Sequence, residues 1–184
     1  AQGDDVFKDS GSLTVGIADA SVPGKTFENL ELGGSATVQI ADTESEVVAT
    51  LTADKTTVSE GGEITYTVTL TNAQGLDVKG HNGLVFTLSD GTKVTVPAGS
   101  ATGTITIHAP DDVYVGGQPS IVNKLEGVTG ADNFEKLTLG DDTVSTTVTD
   151  EPGTGTPGTG NEGDKVSVTI VSNGNVTEDQ QPSF

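Results

Sequence analysis

From Ile64 to Leu70 the chain reads Ile-Thr-Tyr-Thr-Val-Thr-Leu, apolar and polar residues alternating without a break. A period of two puts Ile64, Tyr66, Val68 and Leu70 on one face of a strand and the threonines on the other, as in a sheet with one wet side. The same patterning predicts strands over 47–53, 102–108, 121–128 and 143–149. Leu84–Ser89 and Thr92–Val96 flank Asp90-Gly91, a pair that predicts a hairpin closed by a type I′ turn. Clusters such as Pro97-Ala98-Gly99-Ser100 and Ala109-Pro110-Asp111-Asp112 punctuate the runs, and no stretch keeps a helical period. About seven short strands within roughly 105 residues predict an all-β chain of immunoglobulin-like β-sandwich modules, without the Cys…Trp…Cys of antibody domains.

The pattern repeats. Asp4-Asp5-Val6-Phe7 recurs as Asp111-Asp112-Val113-Tyr114, an offset of 107. At that offset Val15 matches Val122, Phe27-Glu28 matches Phe134-Glu135, and Leu30, Leu32 and Gly33 match Leu137, Leu139 and Gly140; one inserted residue later, Asp42 matches Asp150. Thr50-Leu51 and Val58-Ser59-Glu60 return as Thr169-Ile170 and Val176-Thr177-Glu178. Residues 1–43 then form the C-terminal part of one module, 44–151 a complete module, and 165–184 the start of a third. Between the last two, 152–164 is a Gly/Thr/Pro tether with nothing to bury. The first joint, Asp42-Thr43-Glu44-Ser45-Glu46, is short and acidic. Fragments 1–43 and 165–184 hold only some strands of a sandwich, so weak order is expected outside the central module unless they complement one another. Modules in series contact their neighbours and extend in proportion to their number.

Composition changes this picture in two ways. Eight Lys, no Arg and 27 Asp+Glu give a net charge of −19, which excludes the basic face that nucleic acid requires. Such acidity with few aromatics would suit disorder, but 29 threonines set in alternating runs are a strand signature. Absence of cysteine removes disulfides, thiolate nucleophiles and Cys-ligated metals. No apolar run approaches the roughly 20 residues of a membrane span, and Ala1-Gln2-Gly3-Asp4 lacks signal-peptide character. A soluble segment of a longer protein, not inserted in a membrane, is expected.

Chemistry is then sought among carboxylates at strand ends: Glu60, the pair Asp111-Asp112, Glu126, and Asp150-Glu151. Hard divalent cations such as calcium take six to eight oxygens from such loops, and an ion at a module joint would neutralise like charge and fix the angle. Against this, turn aspartates commonly cap local N–H groups. Neither an EF-hand loop nor a Gly-Gly-x-Gly-x-Asp repeat occurs. His81 and His108 read as turn or surface residues, since no Gly-x-Ser-x-Gly or His-Glu-x-x-His accompanies them. A ligand-binding module using His81-Asn82 or Asp132-Asn133 stays open as an alternative, and a hydrolase ranks last.

The runs 51–72, 80–92 (Gly-His-Asn-Gly-Leu-Val-Phe-Thr-Leu-Ser-Asp-Gly-Thr) and 109–116 (Ala-Pro-Asp-Asp-Val-Tyr-Val-Gly) resemble the tandem repeats of LapA-like giant bacterial biofilm adhesins. The resemblance implies type I secretion, an extracellular place at the cell surface with outer-membrane anchoring through other parts of the protein, and a calcium-dependent immunoglobulin-like sandwich. It also implies a non-enzymatic role in projecting a distal adhesive tip, with neighbouring repeats as partners. Carried over by position, it implies calcium ligands at Glu60, Asp111, Asp112 and Asp150, with Asp4, Asp5 and Asp42 as their counterparts.

Overall fold

A computed structural model describes residues 4–114, 116–150, 164 and 166–181; Glu151 and the tether, apart from Asp164, lie outside the described residues. Among these the chain is all-β: β1 (Gly11–Gly16), β2 (Ser35–Ile40), β3 (Glu46–Ala53), β4 (Thr57–Ser59), β5 (Glu63–Asn72), β6 (Leu84–Leu88), β7 (Lys93–Val96), β8 (Thr102–His108), β9 (Ile121–Asn123), β10 (Leu125–Thr129), β11 (Lys136–Leu139) and β12 (Val144–Thr149). By contact the residues fall into two units: 1–52, 66–105 and 123–144 form one, and 53–65, 106–122 and 145–184 the other.

The first unit holds most of the core. Its sheets run in the orders β11-β3-β5-β8 and β10-β6-β7, and the predicted alternation is what each buries. Val47, Ala49 and Leu51 of β3, Tyr66, Val68 and Leu70 of β5, Leu84, Phe86 and Leu88 of β6, and Val94 and Val96 of β7 are all withdrawn from water. One apolar face per sheet is the arrangement of β-sandwich modules. Burying a side chain of this size stabilises by about 1.5–3 kcal/mol. Strand β11, which the sequence pattern did not announce, lies at the sheet edge and pairs in parallel with β3, Leu137 against Val47. Four residues at an edge carry too little periodicity to read.

The β6–β7 hairpin forms where predicted, with a different turn. Gly91 N–H donates to Leu88 O (2.9 Å) and Leu88 N–H to Thr92 O (2.8 Å); Gly91 has φ +87° while Asp90 does not enter positive φ. This is a type I turn followed by a glycine bulge, not type I′. Asp90 stays right-handed because its carboxylate is used across the turn, accepting Thr92 N–H (2.8 Å) and Asn123 Nδ2–H (2.9 Å). Burial alone would raise its pKa, but these bonds outweigh it and hold the group below the ordinary carboxylate value.

The run expected over 121–128 is split at Lys124 into β9 and β10. The reason is Asn123, which is fully buried. Its Oδ1 accepts Ser89 Oγ–H (3.1 Å) and Asp90 N–H (3.2 Å), and its Nδ2 donates to Asp90 and to the buried Tyr66 hydroxyl (3.2 Å). All four bonding positions of the amide are filled, as burial of such a group demands.

In the second unit β4 pairs in parallel with β12, Val58 against Val148, within the order β4-β12-β9. Within residues 4–43, β1 and β2 form an antiparallel hairpin, Leu13 against Val38, and Leu13, Val15 and Val38 are exposed. Residues 166–181 contain no strand, and among the described residues no helix is long and apolar enough to cross a membrane.

Candidate functional site

The chemistry that recurs is a turn. Asp5 Oδ1 accepts the N–H of Phe7 (2.7 Å), and 107 residues on Asp112 Oδ1 accepts the N–H of Tyr114 (2.8 Å). Asp42 Oδ2 accepts Asp9 N–H (3.1 Å), and Asp150 Oδ2 accepts Gly116 N–H (3.0 Å). The same two bonds thus build the same turn twice: an aspartate closes it locally, and the aspartate that ends the last strand clamps its far side. Gln118 Nε2 also donates to the second carboxylate oxygen of Asp112.

In the first unit the early copy of this turn is docked. Lys8 N–H donates to Asn133 O (2.9 Å), Glu135 N–H to Val6 O (3.1 Å), and Lys8 Nζ to Asp132 O (3.0 Å). Between these bonds the Phe7 ring lies on Phe134, centroids 5.1 Å apart and planes tilted by 39°, within the range of favourable aromatic pairs. Gly80 makes room: a Cβ there would sit 2.7 Å from Phe7 Cε2. Phe134 is 2 % exposed and also meets the His81 ring at 6.1 Å.

His81 lies in a loop, as expected, but is buried rather than on the surface. Its Nε2 lies 2.7 Å from Ser100 O, and its Nδ1 accepts Gly83 N–H at 3.0 Å. A carbonyl can only accept and an N–H only donate, so the ring is the Nε2–H tautomer with both nitrogens committed. His108, by contrast, is exposed, with Nδ1 3.2 Å from Gly61 O.

Carboxylates gather around the docked turn. Asp4, Asp5, Glu44 and Glu46 border a cleft of about 370 Å³ with Asn72, and Asp4, Asp9 and Asp42 border a second of about 140 Å³. Glu135, seen in the sequence only as half of the Phe-Glu recurrence, belongs to this group. Its Oε2 accepts the N–H of Ser45, and its Oε1 is shielded from water with no hydrogen-bond donor. Loss of hydration raises its pKa; the Ser45 bond opposes this, and the neighbouring Asp42 and Asp4 carboxyls raise it further. Glu46 is shifted the other way by the Thr138 hydroxyl and then by Lys136, whose Nζ lies 3.4 Å from it.

In the second unit Glu60 is buried, its N–H donating to Thr149 O (2.8 Å). The following Gly61 has φ +67°, and its Cβ position is 3.6 Å from the Asp111 carboxyl. Glu60, Asp111, Asp112 and Asp150 therefore belong to one unit, and Asp4, Asp5 and Asp42 to the other. Asp5, Asp42, Asp112 and Asp150 have turn-holding bonds, whereas Glu126 is on β10 with Lys124 at 3.9 Å. Among the described residues no three His, Asp or Glu side chains are placed to hold a metal ion.

Taken together, these features describe an all-β protein in which one acidic turn is built twice, 107 residues apart. The LapA domain family model matches residues 1–43 and again 46–151, and the chain belongs to that family. Membership ties it to the adhesin-related proteins that its sequence resembles. No curated protein matches it. Among solved structures it is similar to domains 4 and 5 of the S-layer protein SbsC, at 17 % identity and a TM-score of 0.28 over 63 % of this chain. The chain spans 58 % of that structure's length, and a likeness of this degree says nothing of function.

Proposed function

We propose that this chain is a stretch of stalk repeats from a large bacterial surface adhesin, built of immunoglobulin-like sandwiches that hold an adhesive tip away from the cell. The observation that carries the reading is the turn built twice by the same two bonds, the first copy seated on the module that follows it. That arrangement suits a part whose work is to connect copies of itself end to end. Export through type I secretion and attachment at the outer membrane through other parts of the protein belong to the same proposal, as does its place in biofilm formation.

Calcium is the proposed stiffener. The donors are all hard oxygens, and Glu135 Oε1 lies shielded beside Asp42 and Asp4 with no hydrogen-bond donor, which is the environment a divalent cation relieves. Asp4, Asp42 and Glu135 at the docked turn, and Glu60, Asp111 and Asp150 at the corresponding end of residues 44–151, are the carboxylates proposed to supply oxygens. Among the described residues they are not gathered into a three-carboxylate site, so the proposal requires them to draw together on ion binding. Asp5 and Asp112 then serve chiefly to shape the turns. Ion binding adds to folding free energy, so millimolar calcium should raise the melting temperature of the chain relative to chelator. An unchanged melting curve would remove calcium from the account. Small-angle scattering on chains with added repeats tests the stalk itself, which requires the maximum dimension to grow in step with repeat number.

A further inference from the structure

The docked turn and its undocked copy are the same object in two circumstances. Phe7 is half-buried on Phe134; Tyr114, its counterpart 107 residues later, is 75 % exposed, and Val113 beside it is exposed too. Both aromatics are presented by the same aspartate-closed turn, clamped by the same strand-ending aspartate. A tyrosine presented to water on a turn closed by two backbone-to-aspartate hydrogen bonds needs an explanation, since a side chain of this size normally gains by burial.

We propose that Tyr114 is the donor half of an inter-repeat contact, and that its occupant is the next copy of this repeat, which receives it on the residues corresponding to Gly80, Asn133 and Phe134. The inference rests on the stalk reading and adds to it the contact that joins one repeat to the next. Sequence supports the commitment to this occupant. Residues 165–184 open with a recurrence of 47–60, including Thr169-Ile170 and Val176-Thr177-Glu178, so the chain after Asp150 begins another copy. The acceptor also recurs as Phe27-Glu28, with Phe27 47 % exposed where Phe134 is 2 % exposed. Tyrosine differs from phenylalanine only by a hydroxyl at the ring's far edge, so one acceptor shape serves both. The joint after Asp150 contains the tether 152–164, whereas that after Asp42 is short. Two sites joined by a linker of that length meet at an effective concentration in the millimolar range.

The absence of cysteine makes the test direct. The chain is lengthened by continuing residue 181 with a copy of residues 64–151, and Thr104, exposed on β8, is changed to Cys in both copies for spin labels. Pulsed dipolar spectroscopy then reads the distance across the tethered joint. The expected result is a narrow distance component that is lost in Tyr114→Ala and kept in Tyr114→Phe, because Phe7 already fills that role at the short joint. In the chain of 184 residues, where Tyr114 is exposed, the melting temperature should stay where it is in both variants. A distribution that is broad in the unsubstituted chain, or a narrow one that survives Tyr114→Ala, overturns the proposal. The stalk reading is scored separately: if scattering shows the lengthened chain extending in step with repeat number while Tyr114→Ala changes nothing, the docking contact is wrong and the stalk stands. If the dimension fails to grow, the stalk reading fails, and this contact with it.

Discussion

The turn at residues 4–9 and the turn at 111–116 differ in one respect that matters. Each has its closing aspartate and its clamping aspartate, so local chemistry does not decide whether the aromatic is covered. What differs is the surface met: the first finds Asn133, Phe134 and Gly80, while the second keeps Tyr114 in water. Turn shape and docking are therefore separable, and substitutions should divide along that line.

The largest expected effect is at the acceptor. Phe134→Ala removes a nearly fully buried ring and should cost about 3–5 kcal/mol, whereas Phe27→Ala at the exposed counterpart should cost less than about 1 kcal/mol; urea unfolding of the two variants measures the gap, and equal costs would break the comparison. Next comes Gly80→Ala. The added methyl would occupy space that the Phe7 ring now fills, so the amides of Lys8 and Glu135 should lose protection from hydrogen exchange, by about 1–2 kcal/mol of opening free energy, while core amides of β5 and β6 keep theirs. Smaller again is Asp5→Ala against Asp112→Ala. Each loses one turn bond worth about 1 kcal/mol, but only Asp5→Ala should also expose Lys8 and Glu135 to exchange.

The smallest effect is a pH dependence, and its sign is diagnostic. Glu135 has a raised pKa when folded, so the folded state holds the extra proton more tightly than the unfolded chain. Its contribution is most favourable below the unfolded value and is lost as pH rises through the folded one. Mild acid should accordingly strengthen the docked turn, and Glu135→Gln should flatten that part of the profile. Asp90 and Glu46, whose pKa values are lowered, contribute above their unfolded values and lose that contribution as pH falls through the folded ones. Exchange protection at Lys8 compared with protection in β6 separates the two trends.

Much of the fold was legible because it depends on alternation. Strands β3, β5, β8 and β12 lie close to where the apolar period put them, since each buries one face. Asn123 escaped because a polar residue inside an apolar strand gives no sign of where its four partners are; they come from the β6–β7 turn and from Tyr66. His81 escaped for a similar reason, its two partners being backbone groups of Ser100 and Gly83. At the candidate site the aspartates were legible through recurrence, and their division into turn-holders and candidate ligands was not, because hydrogen-bond direction is a property of conformation. Glu135 had one usable signal, the return of Phe-Glu at the common offset.

The docked contact joins unlike surfaces, a protruding turn on one side and a glycine-floored aromatic shelf on the other. Surfaces of that kind never pair off and close as two identical patches do; each addition consumes one of a sort and presents another of the same sort. A chain of such modules therefore has a head and a tail. On the stalk reading, its length follows the number of copies in the chain, provided the rotation at each joint does not close a ring.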